Sequence, residues 1–94
     1  MMHTIYKISD CQIIGPYTLS LKFDDGAVQI INFKNILKGE LYNKLNDLNF
    51  FNKVKIDDEI KTIVWPNGAD FDPATLHDWH LYENAFQKLV NSWE

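Results

Sequence analysis

Four side chains in the last third of the chain are the first candidates for chemistry. Asp70 and Asp72 lie two positions apart, and His77 and His80 follow three apart. Two carboxylates beside two imidazoles could ligate a divalent metal or share acid–base work. A simpler task competes for each. Asp72 precedes Pro73, the pattern of a helix N-cap with proline at the first helical position. The two histidines also fit one solvated helix face. The residues favour turn, cap and solvated histidines. A metal-dependent or acid–base enzyme using Asp70, Asp72, His77 and His80 remains the alternative.

The rest of the chain adds little chemistry. Cys11 is the sole cysteine, so it forms no disulfide within the chain, and a small buried thiol is a simpler reading than a nucleophile. The glycines at 15, 26, 39 and 68 are scattered and make no phosphate loop. No serine lies in a nucleophile-elbow pattern. The sequence therefore assigns no catalytic residue, no resident metal and no cofactor.

Charge narrows the choice of partners. The net charge is −4, and all nine basic residues are lysines, spread along the chain. Arginine, whose planar fork matches phosphate and guanine, is absent. Direct nucleic-acid binding is disfavoured unless the fold assembles a patch. No apolar run reaches the ~20 residues that span a bilayer, and the first residues do not form a signal peptide. The expectation is a cytoplasmic protein without membrane association.

The elements that must position these residues are legible. Residues 1–94 read as a single α+β domain, with 46% hydrophobic residues to form its core. Thr4–Ile8 and Cys11–Ile14 are strand-like, with a kink expected near Asp10. Leu19, Leu21 and Phe23 alternate before Asp24-Asp25-Gly26, and a second strand follows from Ala27 to Asn32. A two-residue type I′ turn at Asp25-Gly26 pairs Phe23 with Val28 and Leu21 with Ile30, placing both pairs on one face. Phe33, Ile36, Leu37, Leu41, Tyr42, Leu45 and Leu48 recur at helical steps, which Gly39 splits, and Leu48–Phe51 adds another turn. Lys53–Ile56 and Ile60–Trp65 predict a second hairpin around Asp57-Asp58-Glu59.

At the end of the chain, Tyr82, Ala85, Phe86, Leu89, Val90 and Trp93 form the apolar stripe of an amphipathic helix. Packing on the domain's own sheet is favoured over docking on a partner. Trp79, Tyr82, Phe86 and Trp93 are the side chains that would face such a partner.

The stretch Trp65-Pro66-Asn67-Gly68-Ala69-Asp70-Phe71 is unusual in composition. Pro66 should end a strand, Asn67-Gly68 is a turn pair, and Asp72-Pro73 starts a short helix reaching about Asp78. Together with Leu76, the upstream Phe23-Asp24-Asp25-Gly26, Leu45 and Phe51, this motif resembles the signature of the small bacterial proteins called domain of unknown function 2442. The resemblance covers about residues 5–77. It implies a compact α+β domain with a small antiparallel sheet and no agreed activity. Some relatives carry a helix-turn-helix domain after this module, and some are encoded beside another small protein, which implies a regulatory or antitoxin-like partner role. Only about 20 residues follow the motif, too few for such a DNA-binding domain. The family supplies no catalytic residues.

The leading expectation is thus a non-catalytic protein–protein interaction module that binds another protein or itself. Trp65, Pro66, Asn67, Gly68, Asp70 and Asp72 are its motif positions.

Overall fold

A computed structural model describes residues 6–81, 83, 84 and 88. The fold is α+β. Strands β1 (Ile8–Gly15), β2 (Thr18–Phe23) and β3 (Val28–Asn32) form an antiparallel sheet in that order. Strands β4 (Lys55–Ile56) and β5 (Ile63–Val64) form a second, two-stranded sheet, extended by a bridge between Val64 and Asp70. The second hairpin is shorter than the alternation predicts. Asp57 explains this: its Oδ1 accepts from the backbone N–H groups of Glu59 and Ile60, turning the chain before the strands lengthen.

The helical segment between β3 and β4 breaks more often than its apolar steps suggest. It runs as a 3-10 turn (Lys34–Ile36), α1 (Gly39–Asn43), a second 3-10 turn (Lys44–Asn46) and α2 (Leu48–Phe51). Asp47 starts α2 by accepting from the Asn49 N–H. Phe33, Ile36, Leu37, Leu45 and Phe51 enter the core, while Leu41 and Leu48 stay exposed. After β5 comes α3 (Pro73–His77), capped by Asp72 as the sequence predicts. Residues 79–81, 83, 84 and 88 are helical. The apolar stripe expected at Tyr82, Ala85, Phe86, Leu89, Val90 and Trp93 lies outside the described residues. Among the described residues no helix is long and apolar enough to cross a membrane.

One expectation about the sheet is corrected. The register between β2 and β3 is Leu21 opposite Gln29 and Ser20 opposite Ile30, one residue from the type I′ arrangement. The turn explains the slip. A type I′ turn needs positive φ at both central residues, but here only Gly26 has it, at 92°. The loop is three residues long: the Gly26 N–H donates to the Phe23 carbonyl and the Phe23 N–H donates to the Ala27 carbonyl. This is a turn closed by a left-handed glycine. Asp25 holds it by accepting from the Ala27 N–H at 3.0 Å. The extra residue flips β3. Gln29 now faces inward and donates to the His77 carbonyl at 2.7 Å, capping the end of α3. Val28 and Ile30 face outward, 54% and 64% exposed.

Gly26→Ala forces a side chain into left-handed backbone with open space around it. It should lower unfolding free energy by about 1–2 kcal/mol in urea titration, the cost of that conformation alone.

Candidate functional site

Two turns of the same construction organise the molecule. Phe23-Asp24-Asp25-Gly26-Ala27 is matched by Trp65-Pro66-Asn67-Gly68-Ala69. In the second, the Gly68 N–H donates to the Trp65 carbonyl and the Trp65 N–H to the Ala69 carbonyl. Gly68 has φ 88°, and Asn67 Oδ1 accepts from the Ala69 N–H at 3.1 Å. Pro66 occupies the position where a fixed φ near −65° favours the turn. Each turn has a buried aromatic first, an acidic or amide side chain third, and glycine fourth.

In both turns the third side chain also reaches out to a helix. Asn67 Nδ2 donates to the Leu41 carbonyl in α1 at 3.0 Å. Asp25 Oδ2 reaches His77 Nε2 at 2.7 Å. The motif's other residues are likewise engaged in structure. Trp65 is buried, and its indole N–H donates to the Phe51 carbonyl at 2.8 Å. Its ring packs among Phe33, Phe51 and Phe71 at centroid distances of 5.5 to 6.3 Å. The Asp70 carbonyl accepts from the Tyr42 hydroxyl at 2.8 Å, and the buried Thr62 hydroxyl donates to the Phe71 carbonyl at 2.6 Å. Burial, followed by the Asp70 charge, raises the Tyr42 pKa. The acceptor across the turn is Asn67.

The structure does not assemble Asp70, Asp72, His77 and His80 into one site. Among the described residues no group of three or more His, Cys, Asp or Glu side chains is placed to hold a metal ion. Asp72 accepts from the Ala74 N–H and the Thr75 hydroxyl. His80 is exposed, and Trp79, expected to face a partner, is buried. Tyr82, Phe86 and Trp93 lie outside the described residues. Cys11 is half-buried, and burial, with Asp10 beside it, pushes its thiol up to about 11, which makes it a poor nucleophile at neutral pH.

A different cluster forms instead. The His77 ring lies between Asp25 at Nε2 and Asp78 at Nδ1, 2.7 and 2.8 Å away. It stacks on Tyr6 with centroids 3.8 Å apart and meets the edge of Phe23. Burial of the ring opposes its charge. The hydrogen bonds to Asp78 and Asp25, with their negative charges, outweigh that and raise the His77 pKa. Asp25 is held below the ordinary carboxylate value, first by the Ala27 N–H and then by His77. With carboxylates on both ring nitrogens, neither nitrogen is free to act as a base. The ring is a clip joining the hairpin tip to α3. Sequence spacing pointed from His77 toward Asp70 and Asp72. The true partner, 52 positions upstream, is reached only through the turn that Asp25 itself forms.

A family profile described as protein of unknown function (DUF2442) matches residues 8–82, so the chain belongs to that family. No curated protein and no solved structure matches it.

Two predictions follow from this geometry. Trp65→Ala should destabilise the fold by about 3–5 kcal/mol in denaturant unfolding, through lost aromatic burial and the cavity left behind. The His77 clip should give a signed pH dependence. Its contribution is complete below the ordinary imidazole value of 6.5 and fades as pH rises through the higher folded value. At the acid end, the Asp25 contribution is lost as pH falls below 3.8 through its lower folded value. The thermal midpoint should thus decline above neutral pH. Asp25→Asn, which preserves the turn as Asn67 does in its twin, should flatten that decline.

Proposed function

Taking that family membership as premise, we propose that the chain is a non-catalytic protein–protein interaction module. On this reading it is the regulatory or antitoxin-like partner of another small protein and acts in the cytoplasm. One observation carries the reading: the outward face of the three-stranded sheet presents Val28 and Ile30 to solvent. Ile30 stands opposite Ser20, which pairs on its other side with Gln12. Val28 stands opposite Lys22, beyond which lies Asp10. A branched apolar pair framed by short polar and charged groups is the pattern of an interface core with a polar rim. β3 is also an edge strand without proline or charge, the kind of edge that accepts another strand.

The enzyme alternative has weaker support. Among the described residues its four side chains form no metal-holding group, and the His77 cluster has both imidazole nitrogens engaged by carboxylates.

Native mass spectrometry of tagged protein drawn gently from its own cells tests the proposal. A stoichiometric second protein or a homodimer is expected. Ile30→Asp should abolish that complex while changing the thermal midpoint little, because the side chain is solvent-facing. A bare monomer from cells, or a complex indifferent to Ile30→Asp, would overturn the assignment of this face.

A further inference from the structure

The fold gathers lysines that the sequence spreads out. Residues 34–55 hold Lys34, Lys38, Lys44, Lys53 and Lys55 against Glu40 and Asp47, in a chain whose net charge is −4. Three of these ammonium groups lie over two half-exposed rings. Lys44 Nζ is 5.2 Å and Lys53 Nζ 5.8 Å from the centroid of Phe50, while Lys34 Nζ is 5.4 Å from that of Tyr17. The two rings sit on segments that touch. Tyr17 meets Phe51, the neighbour of Phe50, with centroids 5.5 Å apart, and its hydroxyl donates to the Asn46 carbonyl, two residues past Lys44.

Among the described residues these charges, on Lys34, Lys44 and Lys53, have no ion-pair partner. The acid nearest Lys44 in sequence, Asp47, turns its carboxylate to the N-terminus of α2, and Asp57, nearest Lys53, accepts from the Glu59 and Ile60 N–H groups. A ring face holds an ammonium in place through its quadrupole but does not neutralise it. Lys44 and Lys53 share one ring, so their separation cannot exceed the sum of their distances to it, and they repel across it. A carboxylate arriving there relieves that repulsion and keeps the cation–ring contacts.

We infer that the surface bearing Lys34, Lys44 and Lys53 over Tyr17 and Phe50 binds a short carboxylate-rich segment of a protein partner. The inference rests on the interaction-module reading and names the chemistry of the partner. Charge complementarity selects an acidic peptide over nucleic acid. Three ammonium groups neutralise few phosphates, no arginine fork is present, and the acidic remainder of the chain repels a long polyanion.

Fluorescence anisotropy of a fluorescein-labelled hexaglutamate peptide titrated with the full chain tests this. Saturable, salt-weakened binding is expected. Lys44→Gln/Lys53→Gln should lower affinity by about tenfold, the scale of losing close charge contacts. Phe50→Leu should weaken binding with the charges intact. Lys7→Gln/Lys61→Gln removes equal charge from the shallow cleft lined by Lys7, Ile8, Asp24 and Lys61, and should leave binding unchanged. Equal loss in both double variants, absence of saturable binding, or tighter binding of a charge-matched single-stranded oligonucleotide would each overturn the inference. Ile30→Asp should bind the peptide normally, so failure here is separable from failure of the sheet-face reading. Circular dichroism on each variant confirms that the fold is retained.

Discussion

The contact on which most of this fold depends is the buried Trp65 indole, donating to the Phe51 carbonyl while its ring fills the space among Phe33, Phe51 and Phe71. Trp65 follows directly on β5, and Phe51 ends α2, so one side chain joins the second hairpin to the helical segment. A buried indole N–H needs a partner, and a carbonyl at the end of a short helix needs a donor. Each satisfies the other. The turn that follows has to bring the chain back over this ring, which is why proline, asparagine and glycine come next in that order. The motif therefore reads as a closure of the fold, and its unusual composition is explained by geometry.

The twin turns extend this logic. Asp25 and Asn67 both close a glycine turn and both reach a helix, but only Asp25 carries charge. That difference turns a neutral bond to α1 into a titratable clip on α3. The register of β3 follows from the same residue. With no positive φ at Asp25 the loop takes three residues, Gln29 turns in to cap α3, and Val28 and Ile30 turn out. An exposed apolar face is therefore a consequence of how the hairpin turns. Hydrophobic patterning alone argues for the opposite register, because it sets Val28 and Ile30 opposite Phe23 and Leu21 on the core face.

Much was legible from residues alone. The α+β class, the two hairpins, the Asp72-Pro73 helix start and the split of the helical segment near Gly39 all follow from local pattern. Local rules failed where a side chain had a distant partner. Nothing around Asp25 announces His77, and nothing around Gln29 announces the end of α3. A signal for the turn was nevertheless present. Aromatic, any residue, acid or amide, glycine, alanine occurs twice, at 23–27 and 65–69, and reading the two as one motif would have predicted the three-residue loop. The lysine surface was hidden for another reason: Lys44 and Lys53 are nine positions apart, and only the fold sets them over one ring.

With the motif occupied in holding the core, the proposed interactions rest on the surfaces around it: the outward sheet face and the lysine-bearing aromatic surface. That division is the central claim, and hydrogen exchange of the Trp65 indole proton, followed by NMR, tests it most directly. If Trp65 is the fold's closing contact, its proton exchanges only through global unfolding, with a free energy equal to that of denaturant unfolding. Rapid exchange in the native protein, with the backbone amides of β2 still protected, would contradict the claim and make the motif an accessible working site.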